Sequence, residues 1–376
     1  MSTSLQVYKS TSQRLEPNCI QRVDSLTRGL VDPSAPIDAV VLWVDGSDPV
    51  WRAKRDRYLL HGEDRHDDIA GPTRYTSVGE VYYCIASINR FAPFVRRIFL
   101  VTDHQVPSHL DDFLRRNFPD GYIPYEVIDH TVIFRGHEDC LPTFNCNSIE
   151  PLLWRIPGLS ERYIYFNDDI VLLSPVTPDD FFVGEATRCY GRWYSTSVAR
   201  LLHALKPRRD GHKPMGFKSL LVNTLRYTPR PHRRFLFLLH TPLPLRRSFF
   251  DTYFTAHPDV LRVNITQRFR HPSQFNPQEL FYLTEHPSGR CIVTPSHANI
   301  FYYKPHRHSP THYLLRKERE FRRSSALFGC FNSLDQAPDA ERQRILQLLT
   351  ERLRLEGVYE STSLQVNKST SLEMEN

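Results

Sequence analysis

Residues 163 to 170 read Tyr-Ile-Tyr-Phe-Asn-Asp-Asp-Ile, an apolar and aromatic run that ends in an amide and two adjacent carboxylates. A strand with such a run can be buried on both of its faces. Two neighbouring carboxylates cannot be buried without a counter-charge, so we expect a cation at the end of this strand. Asp168 and Asp169 are therefore candidate ligands for Mg²⁺ or Mn²⁺, ions that take oxygen ligands and are usually completed by substrate phosphates. Alternatively, these polar residues cap a helix or form a solvated turn.

Two further predicted strands also end in polar residues. Residues 37–44 form a nearly continuous apolar run, which ends at the turn-forming residues 45–49, Asp-Gly-Ser-Asp-Pro. A helix is predicted over 78–91, and then a strand over 98–102 that is followed by Asp-His-Gln at 103–105. Strand, helix and strand in this order predict an α/β fold with a doubly wound, mostly parallel sheet. Ligands of such sheets bind at the carboxyl ends of the strands, so the three acidic ends predict one site.

Composition narrows the class of protein. The chain has 376 residues and a formal net charge of +6, which suits polyanionic partners but is modest for a dedicated nucleic-acid binder. Its 7 cysteines include no Cys-x-x-Cys pair, which disfavours a disulfide framework or a zinc site and favours a reducing cytoplasm. No stretch approaches the roughly 20 apolar residues of a membrane span. We therefore predict a cytoplasmic protein that is soluble or at most peripheral to the inner membrane.

Four regions differ in composition from this α/β part. Residues 1–35 and 359–376 are polar, share a repeated sequence and are predicted to be disordered tails. Residues 201–250 carry eleven Lys or Arg against the single acid Asp210, which predicts either an anion-binding surface or a solvated basic face. Residues 336–358 predict a C-terminal helix that packs through its leucines.

Several blocks of the sequence resemble the Stealth family, the bacterial capsule polymerases and related enzymes that transfer a hexosamine-1-phosphate. Its animal relative is the lysosomal-targeting GlcNAc-1-phosphotransferase. The first block is Ile-Asp-Ala-Val-Val-Leu-Trp-Val-Asp-Gly-Ser-Asp-Pro at 37–49. The second and most specific block comprises residues 74–80, 92–102, 105–107, 141–145, 149–150, 156–160 and 163–169.

The later blocks are weaker. The third comprises Asn223-Thr224, His240-Thr241-Pro242 with Arg247, and residues 268–273. In the fourth, where the family has Cys-x-Asn-Asp, this chain has Cys330-Phe331-Asn332-Ser333, and Asp335 follows two positions later. Asn332 or Asp335 would have to replace the missing acid.

The resemblance implies a catalytic domain over 36–335, similar to a GT-A-type nucleotide-sugar transferase. Residues 36–200 would bind the nucleotide-sugar and metal, and 201–335 would form a basic, helical, acceptor-binding part. The implied reaction moves a hexosamine-1-phosphate from UDP-GlcNAc or UDP-ManNAc to a hydroxyl of an anionic glycan, with UMP leaving. The implied partners are the capsule synthesis and export machinery at the inner membrane face, and no nucleic acid.

The resemblance also implies roles for ten residues. The metal would be Mg²⁺ or Mn²⁺, and the phosphoryl group would be clamped by guanidinium groups, which match phosphate geometry. We assign Asp168, Asp169, Glu150 and Asn332 to the metal, Arg270 and Arg74 to the clamp, His240 to the base with Asp45 as the alternative, and Asp48 and Asn167 to the nucleotide-sugar. For Glu150 the alternative is an orienting role, and for Arg74 it is an ion pair with Glu80.

Two other functions fit the same residues. A metal-dependent GT-A glycosyltransferase would break the bond from the anomeric carbon to oxygen and release UDP. A non-catalytic protein that binds polyanions or carbohydrates would use its carboxylates only as helix caps. The released nucleotide separates the first alternative from phosphotransfer, because UMP can leave only after attack at phosphorus.

Overall fold

The structure of the chain is a computed structural model, and it describes residues 35–59, 71, 74–198, 217–229, 232–295, 297–305 and 311–356. Within these ranges the strands are β1 (Ile37–Leu42), β2 (Val95–Thr102), β3 (Tyr125–Asp129), β4 (Arg162–Asn167), β5 (Ile170–Leu172), β6 (Phe182–Val183), β7 (Ala186–Ser195), β8 (Arg234–Leu238), β9 (Leu243–Arg246), β10 (Cys291–Thr294), β11 (Ile300–Tyr303) and β12 (Phe328–Phe331). The α-helices are α1 (Pro49–Tyr58), α2 (Glu80–Phe91), α3 (Leu110–Asn117), α4 (His130–Ile133), α5 (Cys146–Ile149), α6 (Phe217–Thr224), α7 (Arg247–Ala256), α8 (Pro258–Ile265), α9 (Pro277–Glu285), α10 (Thr311–Arg323) and α11 (Asp339–Leu353).

The central sheet has five strands in the order β3-β2-β1-β4-β9. Its first four strands are mutually parallel, and only β9 runs antiparallel to β4. Helices α2 and α3 connect neighbouring parallel strands, as parallel crossovers require. This topology confirms the predicted α/β class with a mostly parallel sheet, and it brings the carboxyl ends of β1, β2 and β4 to one edge.

Both faces of the central sheet are covered, which explains why β1 and β4 are almost continuously apolar. Successive residues of a strand point to opposite faces, so Val41 and Ile164 pack in one hydrophobic cluster with helices α2 and α11. Val40 and Tyr165 pack on the other face with helices α7, α8 and α9. Each face therefore holds a separate buried core, and the strand ends between them are the free edge.

Two smaller sheets bring the later part of the chain to that edge. In one of them β7 pairs with β6, β8 and β10. In the other, β12 runs parallel to β11 and antiparallel to β5. Because β5 begins directly after Asp169, this pairing sets Cys330 opposite Ile170 and carries Asn332 to the end of β4. The division of the catalytic domain at residue 200 stays a prediction, although β9 and β12 extend sheets that begin before it.

The predicted elements differ from the observed ones mainly at their ends. The helix predicted over 78–91 begins at Glu80. The strand predicted over 98–102 begins at Val95, because Arg96 and Arg97 find carboxylate partners on neighbouring strands. Among the described residues, no helix combines the length and the apolar character that crossing a membrane requires.

Helix α11 is shorter than the predicted 336–358. It begins after Pro338 and ends at Leu353, and the next residue, Arg354, takes the left-handed conformation. Gly357 and Val358, the last two residues of the predicted range, lie outside the described residues, as do both predicted tails apart from Ala35. The same holds for Lys206, Arg208, Arg209, Lys213 and Arg230 of the basic segment.

An ion pair between the buried Asp38 and the partly exposed Arg96 ties β1 to β2 and to the turn before β4. Asp38 is fully buried, and its carboxylate accepts two hydrogen bonds from Arg96, at 2.9 and 2.7 Å. The Ser160 backbone N–H donates a third, at 2.7 Å. The neighbouring pair of Arg97 with Glu126 is 44% exposed on both side chains.

We expect Asp38→Ala to destabilise the fold by about 2–3 kcal/mol, because the buried Ser160 N–H and the Arg96 guanidinium lose their acceptor. Glu126→Ala is the matched control on the adjacent arginine, and an exposed pair should cost at most about 1 kcal/mol. Urea unfolding followed by circular dichroism measures both. Equal losses for the two variants would contradict this account of how β1 and β2 are joined.

Candidate active site

The loop after β1 is held by Gln105, the residue that follows β2 by three positions. The Gln105 side-chain amide donates to the Asp45 carbonyl at 2.8 Å and accepts from the Asp45 N–H at 2.9 Å. Asp45 Oδ1 accepts from the backbone N–H and the hydroxyl of Ser47, at 2.8 and 2.6 Å. Asp48 caps helix α1 by accepting from the Val50 and Trp51 N–H groups. Asp48 thus acts as a helix cap in this structure, and its assignment to the nucleotide-sugar stays a prediction.

Gly46 allows a second segment to approach this loop. The Gly46 N–H donates to the Tyr75 carbonyl at 2.6 Å, and a Cβ on Gly46 would lie 2.6 Å from both that oxygen and the Tyr75 Cβ. Real Cβ atoms essentially never come so close, so only glycine fits here. The contact sets Arg74 and Tyr75 against the end of β1. The Tyr75 hydroxyl then donates to the Phe144 carbonyl at 3.0 Å.

Three carboxylates meet at the ends of β4 and helix α2. Burial raises the pKa of Asp168 well above its ordinary value, and repulsion from Glu80 and Asp169 raises it further. Burial likewise raises the pKa of Glu80 from 4.5 to about 7, with Asp169 and Asp335 adding to the effect. Burial also raises the pKa of Asp169. These carboxylates therefore lie close enough to repel one another when they are ionised.

Asp169 is contacted by the last two residues of β12 and by Asn332, which follows the strand. Asn332 Nδ2 lies 3.4 Å and Cys330 Sγ 3.6 Å from Asp169 Oδ2, and the Phe331 N–H donates to the Asp169 carbonyl at 2.9 Å. Asp169 Oδ1 is buried and has no hydrogen-bond partner among the described residues. An orphaned carboxylate oxygen within a group of acids fits a hard divalent cation, which takes oxygen ligands. The residues present thus fit Mg²⁺ or Mn²⁺.

Glu150 lies in a second group, together with Tyr165, Asn167 and Arg270. The Tyr165 hydroxyl is 3.0 Å from Glu150 Oε1 and 2.6 Å from Asn167 Oδ1. One phenol hydrogen cannot be donated fully to both acceptors at once, so a protonated Glu150 can donate to the Tyr165 hydroxyl while Tyr165 donates to Asn167. Burial raises the pKa of Glu150 to about 7, which makes that proton available near neutral pH. Tyr165 also lies close enough to Asp168 for its own pKa to be raised by that carboxylate, after burial and Glu150.

The two arginines assigned to the phosphoryl clamp both lie near the phenol of Tyr75. Burial raises the pKa of Tyr75 to about 12, and the nearby charges of Arg270 and Arg74 oppose that rise. Arg270 is largely buried and its Nη2 lies 3.3 Å from Cys146 Sγ. Cys146, and then Glu150 and Tyr75, raise the pKa of Arg270, so its charge is retained. The structure therefore places Arg74 and Arg270 in one cationic region beside Glu150.

His240 stands beside the carboxylate cluster. Its ring centroid lies 5.4 Å from that of Tyr302, at an interplanar angle of 31°. Desolvation lowers the pKa of His240, and Lys304 lowers it further, whereas Asp169 opposes the shift. The imidazole is consequently neutral at pH 7 and can accept a proton.

The ten predicted residues thus fall into three neighbouring groups. Asp168, Asp169, Asn332 and His240 form the first, Glu150, Asn167, Arg270 and Arg74 the second, and Asp45 and Asp48 the third. Among the described residues, the one set of three carboxylate, imidazole or thiol ligands within 4.8 Å of one another is Asp103, His104 and Asp129. Neither Glu150 nor Glu80 therefore forms a tight set with Asp168 and Asp169, and the metal-binding roles of these residues stay predictions.

Sequence reasoning missed Glu80, Tyr165 and Gln105 as parts of this region. Glu80 is the last residue of the motif Arg-Tyr-Thr-Ser-Val-Gly-Glu, where it could be weighed only as a partner for Arg74. Tyr165 and Asn167 alternate along β4 and therefore share a face, which is a signal the sequence does contain. Gln105 closes the motif that follows β2, but nothing local connects it to Asp45.

Comparison with known proteins gives family and relatives. The models of Stealth conserved regions 1 and 2 match residues 35–63 and 74–189. The capsular polysaccharide phosphotransferase WcwK of Streptococcus pneumoniae is 34% identical over 277 residues, which cover 68% of this chain and 80% of WcwK. The receptor polysaccharide phosphotransferase WefC of Streptococcus oralis is 33% identical over 286 residues, 70% of this chain and 82% of WefC.

One further relative and one solved structure complete the comparison. An exopolysaccharide phosphotransferase of Streptomyces coelicolor is 39% identical over 278 residues, which cover 73% of this chain and 47% of that protein. The crystal structure of an active-site mutant of LgtC aligns with 85% of this chain and 97% of its own, with a TM-score of 0.41 and 11% identity.

We expect the metal-free protein to lose stability as the pH rises. The folded pKa of Glu80 is about 7 against an ordinary 4.5, so the folded chain holds this proton more tightly than the unfolded chain. The stability that this pKa difference contributes is fully present below about pH 4.5 and is lost as the pH rises through 7. Glu80→Gln removes the charge but keeps the acceptor for the Val78 N–H, so its melting temperature should fall by a few degrees less between pH 5 and 8.

The measurement is thermal unfolding in a chelating buffer across that pH range, followed by addition of Mg²⁺ at pH 8. Mg²⁺ should stabilise the unaltered chain more than the Glu80→Gln variant. Glu126→Gln is the control, because this carboxylate is exposed and lies near the start of β3, at the opposite end of the sheet from the three carboxylates. An unchanged pH slope in Glu80→Gln would show that the three carboxylates do not repel one another.

Proposed function

The chain belongs to the Stealth family, and we propose that it transfers a hexosamine-1-phosphate from a UDP-sugar to a hydroxyl of an acceptor sugar, with release of UMP. It is a transferase, and the names of its relatives support phosphotransfer in the synthesis of a polysaccharide. The observation that carries the proposal is the group of Glu80, Asp168 and Asp169, with its orphaned oxygen, which Tyr165 and Glu150 connect to Arg270. A cationic region next to a cation site is what a diphosphate requires.

The proposed step is a displacement at the β-phosphorus. The acceptor oxygen forms a bond to this phosphorus, and the bond from phosphorus to the oxygen that bridges to the α-phosphate breaks. UMP leaves with that electron pair. The bond between the anomeric carbon and its oxygen stays intact, so the anomeric configuration is kept. Such displacements depend on positioning and on stabilising negative charge more than on covalent catalysis.

The carboxylates supply the cation site of this proposal. Asp168 and Asp169 would hold Mg²⁺ or Mn²⁺, with Asn332 orienting Asp169 from the side. Such an ion, when bound, neutralises charge on the diphosphate oxygens. Glu80 adds negative charge that raises the affinity for a divalent cation. Nothing in this set prefers one of the two metals.

Arg270 and Arg74 would bind the phosphoryl group through their planar guanidinium forks. Arg270 is the stronger candidate, because its position is fixed by burial against Cys146 and by the charge of Glu150. The Glu150 carboxyl, with its pKa near 7, would hold or release the proton shared with Tyr165 as charge accumulates at the site. Asn167, which accepts the other hydrogen bond of the Tyr165 hydroxyl, is the residue that would contact the donor.

The acceptor hydroxyl needs a base. His240 is neutral at pH 7 and lies beside Asp169, whose negative charge would stabilise the imidazolium that forms on proton transfer. Asp45 is the alternative, and it is placed at the other side of β4, on the loop that Gln105 holds. Asp48 would contact hydroxyl groups of the donor or acceptor from the same loop.

The proposed donor is UDP-GlcNAc or UDP-ManNAc, and the proposed acceptor is an anionic glycan of the capsule or exopolysaccharide type. The excess of basic residues between 201 and 250 would retain such an acceptor, and this attraction would weaken with salt. The site of action would be the cytoplasmic face of the membrane, with the synthesis and export machinery.

We expect UMP as the released nucleotide when the chain is incubated with UDP-GlcNAc or UDP-ManNAc, Mg²⁺ and an oligosaccharide primer. Phosphorus NMR of the product should show a phosphodiester. Asp169→Asn should reduce turnover by at least about 100-fold, because the cation loses a charged ligand at the reacting phosphate. Excess chelator should do the same and be reversed by Mg²⁺.

Asp112→Asn is the matched control, since this carboxylate is exposed on helix α3 and should leave turnover unchanged. Release of UDP instead of UMP would identify a glycosyltransferase. Turnover that survives both the Asp169→Asn change and exhaustive chelation would refute the role given to the cation.

A further inference from the structure

A second group of metal-ligating side chains lies at the carboxyl ends of β2 and β3. Ligand atoms of Asp103, His104 and Asp129 all lie within 4.8 Å of one another. His104 Nδ1 is 2.8 Å from Asp129 Oδ2. Asp129 Oδ1 accepts from the N–H and hydroxyl of Thr131, which fixes the orientation of the carboxylate. The strand β1 separates this group from the carboxylates that follow β4.

His130, the residue after Asp129, is the independent observation that points to a ligand. Its side chain is buried, with 6% exposure, and neither ring nitrogen has a hydrogen-bond partner among the described residues. Its electrostatic neighbours are Asp103, Asp129, Lys54 and His104. Burial lowers the pKa of His130 to about 4, so the ring is neutral and keeps a lone pair. A buried imidazole with no partner is costly unless something else binds it.

Lys54 supplies the counter-charge in this structure. Its ammonium lies 2.6 Å from the Asp103 carboxylate, which is itself nearly buried. Lys54 is on helix α1, and 29% of its side chain is exposed. A flexible side chain at this degree of exposure can move into water when another cation takes its place. The Asp103 carboxylate is thus available to a metal ion at the cost of one ion pair.

We propose that Asp103, His104 and Asp129 bind one divalent transition-metal ion, that the neighbouring His130, which lies outside their 4.8 Å set, moves to complete the ligands, and that Lys54 is displaced when the ion binds. Two imidazoles and two carboxylates form a mixed nitrogen and oxygen set, which suits Zn²⁺, Co²⁺ or Mn²⁺ better than Mg²⁺ or Ca²⁺. The oxygen ligands around Asp168 and Asp169 have the opposite preference. The ion joins the ends of β2 and β3 next to Gln105, and it thereby steadies the loop that carries Asp45.

The test is a titration of the full chain with Co²⁺ in the presence of millimolar Mg²⁺, which occupies sites made of oxygen ligands. Visible absorption reports ligation of Co²⁺, and isothermal calorimetry with Zn²⁺ gives stoichiometry and affinity. We expect one equivalent of each ion to bind. Neither measurement uses donor or acceptor, so its failure leaves the proposed function untouched.

Three variants locate the site. His104→Asn removes an exposed ligand at a position with φ of 55°, a conformation that asparagine tolerates, so folding should be preserved. It should weaken binding by at least about tenfold. His130→Gln should weaken binding further, with folding checked by circular dichroism. Lys54→Gln should tighten binding, because the ion no longer competes with an ammonium for Asp103.

His109→Gln is the matched control. His109 lies five positions after His104 and is an exposed histidine whose Nδ1 is 3.6 Å from Asp112 Oδ2. It should leave binding unchanged. The proposal is overturned if no equivalent of Co²⁺ or Zn²⁺ binds, or if His104→Asn binds as tightly as the unaltered chain. Unchanged or weaker binding in Lys54→Gln would equally overturn it, by showing that the ion does not use Asp103.

Discussion

The repulsion among Glu80, Asp168 and Asp169 is the constraint on which the rest of the site depends. A strand buried on both faces ends in two carboxylates that are only partly exposed, and a helix brings a third that is buried. Burial of like charges is unfavourable unless a cation is shared among them. The fold tolerates this arrangement because the stability comes from the two apolar cores on either side of the sheet. The repulsion among the carboxylates at this edge therefore favours the binding of a cation together with its phosphate ligand.

Three distant parts of the chain must converge for this edge to work. The antiparallel pairing of β12 with β5 brings Asn332 to Asp169, across more than 160 positions of sequence. The absence of a side chain at Gly46 lets Tyr75 and Arg74 approach the end of β1. Burial then fixes Arg270 against Cys146. These contacts bring two arginines and one neutral amide towards the edge that carries the acids. A diphosphate bound there would meet positive as well as negative side chains.

The strands of the parallel sheet could be predicted from the sequence, because a strand covered on both faces leaves a continuous apolar run. The acids at the ends of β1, β2 and β4 could be predicted to share one edge, because the carboxyl ends of parallel strands lie on the same side of a sheet. The role of each acid could not be predicted from the sequence. Asp48 caps a helix, whereas Asp169 keeps an oxygen without a hydrogen-bond partner among the described residues. Glu80 was overlooked as part of the carboxylate cluster because its neighbours are brought to it by the sheet. The same is true of the pairing of Lys54 with Asp103, which joins a helix to a different strand end.

The most direct test of attack at phosphorus follows a single oxygen atom. A UDP-sugar donor carrying ¹⁸O between the anomeric carbon and the β-phosphorus is incubated with the chain, Mg²⁺ and a primer, and the products are examined by phosphorus NMR. We predict that the phosphodiester product keeps the label beside phosphorus and that the released UMP carries none. Label found in a released nucleotide diphosphate would mean that the anomeric carbon is attacked, and would contradict the account.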